Sequence, residues 1–205
     1  MDLETPVREP KEKQLLDAAK ELFLERGYAA TSMDMVAQRA RASKTTLYTR
    51  FPSKEALFAA TIRAECEARG VVFNPAEFDH VPVDEALRQI GRRFVDLISS
   101  PAAVCLHQII TGEATRFPEV AEAFKRIGPD RICNSVAEYL AHAKARGQLD
   151  VEDPAFAAEY FLSNLKGALH SDLVLGLRPE PSEAERARFV DNVVRLFLKG
   201  AAPRA

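Results

Sequence analysis

The chain has 205 residues, 47% of them hydrophobic and 28% charged, with 28 Lys and Arg against 30 Asp and Glu for a formal net charge of −2. A globular chain of this length buries a sizeable core without covalent staples, and the near-zero sum hides how the charges are distributed. Several classes are set aside at once. Met1 to Pro10 is polar, with no apolar run behind a basic start, so no secretory leader is expected. No stretch reaches the roughly 18 apolar residues that cross a bilayer, so no membrane partner is expected and the cytoplasm is the expected location. Cys66, Cys105 and Cys133 form neither CxxC nor a metal spacing with histidine, which reads as reduced thiols, with no metal and no cofactor.

In chain order the pattern is helical throughout, about nine to ten helices and no sheet. Val71-Val72-Phe73 is too short to count as a strand. Leu15, Leu16, Ala19, Leu22 and Phe23 make one apolar face on a first helix from about Lys11 to Arg26, which Gly27-Tyr28 ends. A short helix follows from about Met33 to Ala40, opened by Thr31 or Ser32. After a break at Arg41-Ala42, Ser43 caps a third helix, Lys44 to about Arg50. Phe51-Pro52 stops it, and Ser53 caps a longer helix from Lys54 to about Arg69. Further on, Pro82, Pro101, Pro118, Pro129 and Pro154 stand where helices should begin. Asp153 is an N-cap, and Ser182 with Glu185 has capping-box spacing. Gly27, Gly147 and Gly200 fall at expected helix ends.

Two short helices separated by a tight turn have the form of a helix-turn-helix, whose second helix can enter the major groove. The local chemistry supports this form. From Met35 through Lys54 stand five basic residues (Arg39, Arg41, Lys44, Arg50 and Lys54) and no acidic one, a surface suited to phosphates. Ser43, Thr45, Thr46, Tyr48 and Thr49 supply hydrogen-bonding side chains between the charges. Leu47 and Phe51, four apart, should face inward.

The stretch Ala37-Gln38-Arg39-Ala40, then Ser43-Lys44-Thr45-Thr46-Leu47-Tyr48-Thr49-Arg50-Phe51-Pro52-Ser53-Lys54-Glu55-Ala56-Leu57, closely resembles the signature of TetR/AcrR-type regulators. Ala18-Ala19 to Phe23 and the Arg26-to-Ser32 link also look like that family, and the resemblance is specific over about residues 14 to 62. It implies an all-α protein in which a three-helix head (residues 11–57) follows an N-terminal arm (1–10) and precedes a helical bundle (58–205) for effector binding and dimerisation. It implies that Thr31 and Ser32 touch the DNA backbone, and that Lys44, Thr45, Thr46 and Thr49 face base edges. Tyr48 and Lys54 would reach phosphates. One departure stands out: the family commonly has glycine in the turn, where this chain has Arg41. A left-handed backbone there would cost arginine on the order of 1 kcal/mol. The alternatives are a compensating phosphate contact or a turn of another shape.

In the bundle, the runs Pro154–Leu177 and Glu183–Lys199 are apolar on more than one side, so each needs covering twice. The resemblance implies a two-fold homodimer with Phe161, Leu165, Leu169 and Leu173 meeting Phe189, Val193, Leu196 and Phe197. A two-fold spaces the recognition helices about one DNA turn apart, which implies a palindromic double-stranded operator. Gly91, Gly112 and Gly167 interrupt helical runs, marking close packing or room for a ligand. A small, mostly apolar effector would be lined by Phe94, Ile98, His107, Ile110 and Glu113, together with Phe124, Tyr139, Phe161 and Leu165. An enzyme is the competing class, but no HExxH, ExxH pair, glycine-rich phosphate loop or GxSxG is present, so no catalytic residue is assigned. A helical adaptor that binds protein is the third reading.

Overall fold

The computed structural model describes residues 9–201; the expected arm over 1–10 falls almost wholly outside them. Among the described residues there are ten α-helices and no strand: α1 (Pro10–Ala30), α2 (Met33–Arg39), α3 (Lys44–Arg50), α4 (Lys54–Ala68), α5 (Val83–Ser99), α6 (Pro101–Glu113), α7 (Pro118–Ile127), α8 (Pro129–Ala145), α9 (Pro154–Val174) and α10 (Glu183–Ala201). A short 3₁₀ turn, Pro75–Phe78, precedes α5 and was not foreseen; Asn74 and Glu77 close it with a capping box. The expected caps form elsewhere. Ser32 accepts from Met35 N–H, Ser43 from Thr46 N–H, and Asp153 from Ala155 and Phe156 N–H. Gly200 is a correction, because it lies inside the last turn of α10 and not beyond its end.

The helices pack as two compact units, residues 9–68 with 105–128, and residues 69–104 with 129–201. In the first, α1 lays its expected face on α2 and α4, with Leu15, Ala19, Leu22 and Phe23 buried against Val36, Leu47, Leu57 and Phe58. Helical geometry in α1 breaks at Gly27 (φ 79°, ψ 173°), which swings Tyr28 inward. Its ring stacks near Phe23, meets Phe58 edge-on at 5.2 Å and meets Phe117, at the start of α7, at 5.4 Å. Such ring pairs add about 0.5–1.5 kcal/mol each beyond area burial.

In the second unit, α5 packs on α9 and α10, and α8 packs on α9. Gly91 lets α5 close on α10: a Cβ built there would stand 2.8 Å from Val190 Cγ1. Gly112, by contrast, has open space around it. Phe161 meets Phe197 at 5.0 Å inside this core, and Phe78 meets Tyr139 at 5.5 Å. Burial pushes the Tyr139 hydroxyl up to about 12. The α9 backbone breaks at Gly167 (φ 42°), so α9 is two helical pieces. No single helix among the described residues is long and apolar enough to cross a membrane.

Candidate nucleic-acid interface

The site is built on α2 and α3. Leu47 is fully buried and Phe51 nearly so, which pins one face of α3 to the core. The opposite face therefore points to solvent, as a seven-residue helix must. Lys44, Thr45, Tyr48 (47% exposed) and Thr49 lie on it, with Ser43 at its head. Ser43 Oγ accepts from Thr46 N–H at 3.0 Å and sits 2.8 Å from the Thr46 hydroxyl; Thr49 donates to Thr45 O at 2.8 Å. Ser32 caps α2 and is exposed beside them.

The turn between the helices resolves the question at Arg41. Among the described residues it is the one non-glycine with positive φ, 43°. Arg41 N–H donates to Gln38 O at 3.1 Å and Ala42 N–H to Ala37 O at 2.9 Å. These two bonds make the Schellman closure of α2, whose central position glycine fits and arginine strains.

The cationic face is less open than the local sequence suggests. Arg39 forks onto Glu25 (3.0 and 2.8 Å) and also reaches Glu21 at 3.0 Å; this pairing raises the arginine pKa and lowers that of Glu25. Lys44 Nζ holds Asp34 at 2.6 Å, which raises its pKa. Arg50 pairs with Glu9 and lies 3.8 Å from Glu12. Lys54 points inward, donating to Tyr28 O at 2.9 Å with its ammonium 4.2 Å from the ring centre. Burial lowers its pKa.

Two expected contacts therefore need correcting. Thr31 is 2% exposed and spends its hydroxyl on Leu22 O (3.1 Å) and Gly27 O (2.8 Å), holding the α1–α2 link. Lys54 is half-buried on Tyr28 and is not presented with the α3 face. Glu9, Glu12, Glu21, Glu25 and Asp34 were missed as partners, since all of them stand outside the window that looked purely basic. Lys11 was missed as well; its Nζ donates to Arg41 O at 3.2 Å.

The residues expected at the two-fold seam separate into two groups. Phe161, Leu165, Leu173 and Phe197 are buried in the second unit's own core, because α9 and α10 turn those faces to α5 and α8. Leu169, Phe189 and Val193 are partly exposed, and Leu196 is 64% exposed. The outward apolar face also carries Phe156 and Tyr160 on α9, with Leu175 and Leu177 just beyond it. The expected effector residues likewise divide between the units. His107, Ile110, Glu113 and Phe124 lie in the first, where the His107 and Phe124 rings are 6.5 Å apart. Phe94, Ile98, Tyr139, Phe161 and Leu165 lie in the second, the last three fully interior. A surface groove of about 680 Å³ between α5 and α10 is lined by Asp84, Arg88, Asp191, Asn192, Arg195, Leu198 and Lys199, and by none of the expected effector residues. Among the described residues no cluster of His, Cys, Asp and Glu could hold a metal.

A capped α3 lying across a tight turn from α2, anchored inward and polar outward, makes this chain a helix-turn-helix DNA-binding transcriptional regulator. Residues 15–61 match the family model for bacterial regulatory proteins, tetR family, and residues 85–200, more than half the chain, match the C-terminal domain of AefR-like transcriptional repressors. The chain belongs to the TetR family. The HTH-type transcriptional regulator YvkB of Bacillus subtilis, itself uncharacterised, is 25% identical over 93% of this chain and 97% of its own length. Among solved structures, the flavonoid-responsive regulator FrrA is 38% identical with a TM-score of 0.76, the alignment covering 95% of this chain and 98% of that one. A TetR-family transcriptional regulator from Mesorhizobium loti superposes with a TM-score of 0.81 at 25% identity, over 94% of this chain and 97% of that one. These relatives are regulators and not enzymes.

Proposed function

We propose that the chain is a cytoplasmic repressor that binds a palindromic operator as a homodimer and is released by a small, mostly apolar effector. The observation that carries the DNA half is the outward row Ser43, Lys44, Thr45, Tyr48 and Thr49 over a buried Leu47. Hydroxyls and an ammonium on a short rod can meet phosphates and base edges, with Ser32, Thr46 and Arg50 at its margins. The dimer half is supported by the exposed apolar residues on α9 and α10, which a second copy would cover through a self-complementary contact. The effector half rests on the α6–α7 residues His107, Ile110, Glu113 and Phe124. Helix α7 packs on α4, and Phe117 touches Tyr28, so a ligand that shifts α7 acts on the base of the head. The 38% identical relative is described as flavonoid-responsive, which makes flavonoids the first effectors to try.

The test is selection of genomic fragments by the full-length protein, followed by footprinting. A short palindrome with steep salt dependence is the expected result. Replacing Tyr48 with Phe or Lys44 with Ala should weaken that binding and leave dimerisation intact. An unchanged footprint for both variants would remove the DNA assignment to this face, and an operator affinity indifferent to flavonoids would remove that effector class.

A further inference from the structure

Resting on the DNA-binding reading above, we infer that Arg41, in the turn between α2 and α3, is the principal phosphate anchor of the head and keeps a strained backbone in exchange for that contact. Three observations converge on it. First, its φ of 43° is a conformation that glycine adopts freely and arginine does not. Second, the turn needs no arginine: the Schellman closure of α2 is made by backbone groups alone, and the side chain gains no ion pair among the described residues. Of the five cations between Met35 and Lys54, Arg39, Lys44 and Arg50 are engaged by carboxylates, and Lys54 by a carbonyl and a ring face. Among the described residues no carboxylate pairs with the exposed Arg41 guanidinium. Third, the position is right. Arg41 stands two residues before the Ser43 cap of α3, and Lys11 adds a second ammonium at its carbonyl.

Charge already held by a carboxylate gives little new attraction to a phosphate, because the old pair must be shared or broken. A free guanidinium gives its full share and releases a counterion from the DNA. Arg41 therefore contributes affinity independent of sequence, whereas the α3 side chains carry the choice of sequence.

The experiment measures affinity against salt for a random-sequence duplex about three helical turns long and for a selected operator. Arg41→Gln keeps the side chain's bulk and the strained φ but removes the charge; Arg41→Lys keeps the charge; Arg41→Gly removes both charge and strain. Arg50→Gln is the comparison cation. Arg41→Gln and Arg41→Gly should each flatten the slope of log affinity against log salt by about 0.9 per protomer, and Arg41→Lys should preserve it. Arg50→Gln should flatten it by clearly less. The ratio of operator to random-duplex affinity should stay constant, and Arg41→Gly should resist urea better than Arg41→Gln. A slope untouched by Arg41→Gln, or matched by Arg50→Gln, would overturn the inference while leaving the DNA reading in place. A loss confined to the operator would make Arg41 a base reader and overturn it too. Wild-type protein without salt-dependent duplex binding would bring down the DNA reading itself.

Discussion

Substituting Gly91 with Ala tests the close approach of α5 to α10 in the second unit. In an open helix this change would stabilise by about 1 kcal/mol, since alanine is the better helix former. Here the new methyl would lie 2.8 Å from Val190 Cγ1, well inside the roughly 3.5–4.0 Å of a carbon–carbon contact. The Leu165 methyls, at 3.5 and 3.6 Å, are already at ordinary distance, so the strain falls on Val190. Val190 is fully buried, and a β-branched side chain in a helix has little rotamer freedom with which to retreat. Helix α5 must then lift from α10, an overpacking cost of about 1–3 kcal/mol. The net expectation lies between no change and a loss of about 2 kcal/mol, in place of the gain of about 1 kcal/mol expected in an open helix. Val190→Ala alone should cost about 2 kcal/mol by emptying a packed site. In the double variant the methyl added at position 91 occupies that space, so the two effects should sum to about 1–2 kcal/mol less than additivity. Urea unfolding at one fixed protomer concentration reads all four proteins, because a dimer's midpoint moves with concentration. Strictly additive losses, or a Gly91→Ala protein stabilised by its full helix propensity, would refute the close approach.

Thr31→Val should destabilise the head by about 1–2 kcal/mol, since Leu22 O and Gly27 O lose their donor; a drop in DNA affinity with unaltered unfolding would instead restore Thr31 as a DNA contact. Glu185 accepts from the Ser182 backbone N–H at 2.9 Å and from its hydroxyl at 3.1 Å, which holds its carboxyl below the ordinary value of 4.5. The stabilisation is complete above that value and disappears as pH falls through the lower folded one. Wild type and Glu185→Ala should therefore converge in unfolding midpoint as pH falls below 4.5, and a difference that stays constant as the solution is acidified would count against the capping role. Leu196→Glu places a charge on the outward apolar face of α10 and should shift sedimentation from dimer to monomer with the helical content unchanged; a dimer that persists would exclude this face as the seam.

The head was legible in the sequence because its signals are local. Ser43, three residues before Thr46, and Leu47, four before Phe51, specify a capped, one-sided helix within nine residues. The strain at Arg41 was legible as a condition, needing only the turn's φ to decide it. What was hidden depends on long separations. Arg50 finds Glu9 41 residues away, and Arg39 finds Glu21 and Glu25 18 and 14 residues back on α1, so a window free of acids was not a surface free of them. The α9 and α10 faces were ambiguous for another reason. A helix apolar all round gives periodicity no contrast, and hydrophobicity alone could not say that Phe161 faces inward while Tyr160, its neighbour, faces out.

The first compact unit is assembled from two separate stretches of chain, and this limits how regulators of this kind can be recombined. A chimera that transplants residues 9–68 onto another body leaves Phe117 and the α7 side chains Val120 and Ile127 behind. Tyr28 then loses one of its ring neighbours, and α4 loses the apolar wall that α7 gives it. The transplantable module is residues 9–68 together with 105–128, so a graft cut at the end of α4 would separate parts that pack as one unit.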